Sequence, residues 1–221
     1  VSMIGAGSEF TFRVVADLIR EAAFAGSTVA LVDTDEAALD LSSRVVKRMV
    51  GETGADLVCE ALTERSEVLS GSDFILNSIS VGEPWAREKD VEIGERYGIY
   101  QPTSQTVGPA GYVRGLRVIP HAVDIARDIA RYCPDAIVLN LANPLAAVCR
   151  SMVREAGVEV IGLCGKTRMY KRPSPRMYCC AAIRPASMVA ALTHPPWTDC
   201  SPNSPNTTLL PRVALPLIRL L

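Results

Sequence analysis

Along the first 163 residues, apolar and polar positions switch between two periods. Residues 1–4, 28–32, 56–62, 74–80, 136–139 and 158–163 are short apolar runs bounded by Gly, Asp, Ser or Pro, the pattern of strands. Residues 10–23, 36–50, 85–97, 111–132 and 145–155 carry apolar residues at helical spacing. In the first of them these are Phe12, Val15, Leu18 and Ile19. The run at 74–80 is almost continuously apolar, as a parallel strand covered on both faces requires. Strands alternating with helices predict an α/β fold built on a doubly wound parallel sheet. On such sheets ligands sit beyond the carboxyl ends of the strands.

The chemistry-bearing residues fall at those ends. Strand one runs into Gly5-Ala6-Gly7-Ser8 and then straight into a helix. Backbone without side chains turns this tightly and lets a phosphate reach the next helix's first amides, so Gly5, Gly7 and Ser8 are candidate pyrophosphate-binding residues. Phe10 stands where the common G-x-G-x-x-G fingerprint has its third glycine. Asp33 ends strand two, where a carboxylate would bond the ribose hydroxyls of NAD and disfavour a 2′-phosphate. The other reading of Asp33 and Asp35 is a cap on the following helix. Asn77, Ser80 and Val81, in the polar end of strand four, either line the cofactor crevice or close a hydrogen-bonded strand end. Asn143, before Pro144, either caps a helix or faces a ligand. Cys164 ends strand six and by itself reads as a small core residue.

Composition changes the picture past residue 165. Residues 1–165 hold 15 Lys+Arg and 23 Asp+Glu, a balance of −8, whereas residues 166–221 hold 8 Lys+Arg and one acid, Asp199, a balance of +7. Nine of the 15 prolines fall in this second segment, where periodicity stops. The chain is therefore divided into a patterned domain, 1–164, and an atypical basic, Pro-rich tail, 165–221, that reads as coil or as the product of a reading-frame slip or truncation. The net charge of −1 gives no reason to invoke nucleic acid or a membrane surface, and no apolar run reaches the about 18 residues of a membrane span. Seven cysteines without a basic, then apolar, leader predict reduced thiols and a cytoplasmic location.

The strand ends resemble something specific as an ordered set. They are Ile4-Gly5-Ala6-Gly7-Ser8 with Phe10-Thr11, Asn77-Ser78-Ile79-Ser80-Val81-Gly82, Gln105-Thr106-Val107-Gly108-Pro109-Ala110-Gly111, Arg117-Val118-Ile119-Pro120, Cys133-Pro134-Asp135 on to Asn143-Pro144, and Gly162-Leu163-Cys164. The set is similar to the N-terminal half of glycoside hydrolase family 4, the NAD- and manganese-dependent α-glucosidases, α-galactosidases, α-galacturonidases and 6-phospho-glycosidases. The resemblance implies a Rossmann-like sheet, a further α+β half beyond this chain and a homo-oligomeric full-length protein. It also implies a small glycoside substrate and hydrolysis by oxidation, elimination and addition on bound NAD. By motif, Gly5, Gly7, Ser8, Asp33, Asn77, Ser80 and Val81 would meet NAD, Asn143 and Arg87 the sugar, and Cys164 with His194 a Mn2+ ion. The segment 117–121 resembles the branch that takes non-phosphorylated sugars. Gly165 departs from the family, which carries a proton-donating side chain there. The expectation is a glycosidase family whose representative here is inactive as written. The competing expectations are a lactate/malate-type NAD-dependent oxidoreductase and a non-catalytic NAD-binding fragment.

Overall fold

The computed structural model describes residues 1–82 and 84–163, together with the backbone of 181–183. Six parallel strands form a sheet in the order β3-β2-β1-β4-β5-β6. They are β1 (Ser2–Ile4), β2 (Ser27–Val32), β3 (Leu57–Leu62), β4 (Phe74–Asn77), β5 (Ile137–Asn140) and β6 (Glu159–Gly162). A seventh, β7 (Ala181–Ile183), adds to β6 antiparallel. It lies in the segment set apart as a tail, where no strand was expected. Because short antiparallel pairing needs only backbone groups, side-chain periodicity could not announce it.

Six helices connect the strands: α1 (Phe10–Arg20), α2 (Glu36–Thr53), α3 (Arg65–Leu69), α4 (Trp85–Glu95), α5 (Gly108–Tyr132) and α6 (Leu145–Ala156). Alternation along each strand sorts the core into two faces. Met3, Leu31, Leu76, Leu139 and Ile161 meet Val14, Val15 and Leu18 of α1 and Leu39 and Val46 of α2. Ile4, Ile75, Val138 and Val160 meet Val118, Ala122, Ile125 and Ile129 of α5 and Val148, Cys149 and Met152 of α6. The sheet is thus doubly wound. Chain order runs outward from β1 to β3, then returns to the middle at β4. The switch point between β1 and β4 opens the crevice that such sheets offer to ligands.

Several boundaries differ from the sequence pattern by up to three residues, and α3 has no counterpart in it; two differences bear on the site. Strand four ends at Asn77 instead of residue 80, because the Ser78 amide donates to Ile4 O at 2.9 Å and draws the chain over β1. Helix α5 starts at Gly108, three residues early, with Pro109 in its first turn, where the missing N–H costs nothing. Among the described residues no helix is long and apolar enough to cross a membrane.

Candidate functional site

The glycine turn is built onto the carboxyl end of the interior strand β1. Gly5 has φ +86°, a conformation that favours glycine. A Cβ there would lie 2.9 Å from Ile79 N and Ser78 C, so the loop after β4 closes directly over the turn. The Gly5 and Ala6 amides both donate to Val32 O, at 2.9 and 3.0 Å. The Gly7 amide donates to Asp33 Oδ2 at 2.7 Å, and a Cβ on Gly7 would meet the Ala38 Cβ at 2.8 Å. Thr11 ties the start of α1 to the turn by donating its hydroxyl to Ala6 O at 2.8 Å. The Ser8 hydroxyl oxygen is buried and, among the described residues, has no hydrogen-bond partner. Such a group calls for a donor or acceptor from a ligand or water.

The two readings of the acids after β2 separate cleanly. Asp35 caps α2, accepting the Ala38 amide at 3.0 Å. Asp33 is no cap: its two oxygens accept from Gly7 N and from Asp35 N, at 2.7 and 3.0 Å, which turns the carboxylate toward the glycine turn.

The loop after β4 is held from below by α5. Arg114 is buried and donates to Ser104 O at 3.2 Å, Asn143 O at 3.3 Å and Ser80 Oγ at 3.4 Å, so one guanidinium joins the ends of β4 and β5 to the segment before α5. Arg117, one turn on, donates to Val81 O at 2.8 Å and makes a bidentate pair with Asp90 of α4 at 2.7 and 2.6 Å. Asp90 is 1% exposed. Sequence pattern did not single out Arg114 or Asp90. The signal available was weak: Arg114 and Arg117 are spaced i, i+3 on the face of α5 that also carries Val118 and Ala122.

Of the two readings of Asn77, the structure shows the hydrogen-bonded strand end. Its side chain is fully buried and donates to Asn140 Oδ1 at 2.8 Å, across the register pair Asn77–Asn140. Asn140 in turn donates to Ala142 O at 3.1 Å and to Cys149 Sγ at 3.4 Å. This network ties the ends of β4 and β5 together inside the sheet. Ser80 is exposed and Val81 half-buried, both on the loop above it.

Asn143 precedes a cis peptide bond to Pro144 and does not cap α6; its Oδ1 accepts from Thr106 Oγ1 at 3.5 Å. It stands with the Arg114 group at the strand ends. Arg87 does not. It lies on exposed α4 and lines a shallow cleft of about 320 Å³ with Glu88, Val91, Glu92, Glu95, Pro102 and Thr103. Cys164, Gly165 and His194 lie outside the described residues. Among the described residues no three His, Cys, Asp or Glu side chains gather to hold a metal. Burial pushes the thiols of Cys59, Cys133 and Cys149 up, Cys149 to about 11, so none of these is a ready thiolate.

The family 4 glycosyl hydrolase profile matches residues 1–172. An α-glucosidase of Erwinia rhapontici is 31% identical over 180 residues, 80% of this chain and 40% of that protein. An α-galacturonidase of Thermoanaerobacterium saccharolyticum is 40% identical over 158 residues, 69% of this chain and 33% of that one. A 6-phospho-α-glucosidase from gut microorganisms, crystallised with NAD and Mn2+, superimposes with a TM-score of 0.65 at 26% identity, covering 72% of this chain and 37% of its own. The chain therefore spans at most two fifths of the length of these relatives. The malate dehydrogenase of Cryptosporidium parvum shares the fold alone, with a TM-score of 0.53 at 18% identity over 73% of this chain and 44% of its own.

Proposed function

This chain belongs to the family 4 glycosyl hydrolases, and on that premise we propose that residues 1–164 form the NAD-binding unit of a glycosidase. The observation that carries the reading is the joint geometry of Asp33 and the glycine turn. Asp33 faces the turn instead of capping α2, and the turn closes on both strand neighbours with a buried, unpartnered Ser8 hydroxyl at its mouth. These residues fit a dinucleotide. The first turn of α1 favours an anion, although its Thr11 amide is taken by Ser8 O at 3.1 Å, so the pyrophosphate sits there with Ser8. Asp33, on the β2 side, takes the adenosine ribose. The nicotinamide half then lies on the other side of β1, against the loop after β4 that carries Ser80 and Val81. Asn77 braces that loop from beneath.

When bound, NAD+ would accept a hydride from the carbon bearing a sugar hydroxyl and return it once the leaving group has been eliminated and water has added, so the cofactor would be regenerated. This chain's own residues orient and shield that exchange. Asn143, fixed by the Arg114 group at the strand ends, presents its amide to the sugar hydroxyls. The metal part of the proposal rests on Cys164 and His194 by motif. The substrate is an O-glycoside, and the resemblance of segment 117–121 to the branch that takes non-phosphorylated sugars favours one without a 6-phosphate. Gly165 has no proton to give, so the 221-residue chain binds nucleotide without turnover. A dehydrogenase of the lactate/malate type needs a histidine bonded to an acid. Among the described residues the one histidine, His121, is exposed on α5 with no acid bonded to it.

Calorimetric titration of the 221-residue chain tests the reading. NAD+ is expected to bind and NADP+ to bind far more weakly, with Asp33→Ala narrowing the gap. Equal affinity for the two nucleotides, or none for either, defeats it. Cleavage of a nitrophenyl α-glycoside by this chain with NAD+ and Mn2+ would defeat the inactivity.

A further inference from the structure

The loop after β4 is shaped at Val81 and Gly82 by one part-buried ion pair, with the Asp90 side chain 1% exposed and that of Arg117 23%. Arg117 Nε donates to Val81 O at 2.8 Å, and the same guanidinium gives both terminal nitrogens to Asp90. Gly82 has φ +75°; a Cβ there would lie 2.9 Å from Ala86 Cβ and 3.5 Å from Arg117 Cδ and Nε. The arginine stem thus lies flat under the turn, and the Ala86 amide fastens the turn's far side by donating to Gly82 O at 2.9 Å. A bidentate Arg–carboxylate fork fixes direction as well as distance, which a lysine cannot do. Burying an ion pair gives little net stability against an apolar packing of the same volume, so its use here is better sought in what it orients.

We infer that Asp90 and Arg117 are positioning residues for the nicotinamide half of the dinucleotide: α4 and α5 hold Val81 and Gly82 against it, while the adenosine half is held by separate groups. The inference rests on the proposed NAD site. Asp33 lies on the far side of β1 from this pair; Ser78 Oγ joins the start of the loop to Gly5 O at 3.2 Å, but no hydrogen bond of the described residues links Asp33 or the glycine turn directly to Asp90 or Arg117. Losing the pair therefore weakens recognition of one end of the ligand and spares the other.

ADP-ribose is the discriminating probe, because it keeps the adenosine and pyrophosphate of NAD+ and lacks nicotinamide. In the full 221-residue chain, Arg117→Lys is expected to lower NAD+ affinity about tenfold, a shift of about 1.4 kcal/mol, and ADP-ribose affinity less than about twofold. Asp90→Leu combined with Arg117→Met removes both charges and keeps the volume, so it supplies a folded variant should the single one unfold. In the unsubstituted chain, amide exchange at residues 81 and 82 is expected to slow with NAD+ and not with ADP-ribose. Equal losses for the two ligands, no loss, or equal protection by both overturns the inference and leaves the NAD site standing. Failure of the unsubstituted chain to bind either ligand overturns the site itself and the inference with it.

Discussion

The two sides of β1 solve the same problem by different means. On the β2 side, the turn is held through its own backbone groups: two amides on Val32 O, one on the Asp33 carboxylate, carbonyls that take the Thr11 and Ser78 hydroxyls, and two glycines whose missing side chains let the strand ends close. On the β4 side, the loop is held by side chains reaching up from α5, α4 and β5: Arg114, Arg117, Asp90, Asn77 and Asn140. A backbone-held turn tolerates changes in charge and fails on added volume. A side-chain-held loop does the reverse, because each buried polar group depends on a partner from another element.

The contrast breaks first, and most, at Arg117. Arg117→Met leaves the buried Asp90 carboxylate without its two bonds and should cost roughly 3–5 kcal/mol in urea unfolding, with the Asp90→Leu double variant recovering most of it. If the single variant loses under about 1 kcal/mol, the β4 side is not charge-held. Gly5→Ala comes next, at about 2 kcal/mol, because φ +86° and the contact with Ile79 N both oppose a Cβ. Asp33→Asn keeps the volume and weakens two charge-assisted bonds. It should lower NAD+ affinity about tenfold and move the unfolding midpoint little.

Alkaline pH gives a smaller effect, confined to the β4–β5 side. The Cys149 thiol is pushed up to about 11 by burial, so the folded state holds its proton after the unfolded chain has lost it. This contribution is whole below the ordinary thiol value and lost as pH rises through the folded value. At pH 10 it amounts to about 1 kcal/mol, which Cys149→Ala should abolish in unfolding curves at pH 8 and 10. Smallest of all is Glu92 on α4. Lys89 and Arg96 hold its carboxyl at about 2, yet all three side chains are substantially exposed. Glu92→Gln should leave the unfolding midpoint where it is in physiological salt.

The backbone-held side was legible in the sequence and the side-chain-held side was not. Glycines flanking Ala6, an acid one strand later and apolar runs of strand length are local signals, and the six parallel strands fall within three residues of the runs that announce them. Arg114, Arg117 and Asp90 look in the sequence like the solvent face of two helices. Arg114 bonds Ser104 O and Ser80 Oγ, and Arg117 bonds Val81 O, in loops that carry no period. Asn77 and Asn140 were each visible as polar strand ends. That they bond each other depends on a register spanning 63 residues, which no local window contains. Asp33 and Asp35 could not be told apart by spacing, since either reaches the first turn of α2. The Gly7 amide decides between them.

The bond from Gly7 to Asp33 also bears on how fast a nucleotide can be captured. The carboxylate grips the turn in the free chain, so the conformational entropy of shaping it is lost during folding and not at the encounter. Association should then run as a single collision-limited phase with no slow rearrangement before it, and differences in affinity among nucleotides should appear as differences in how quickly they leave.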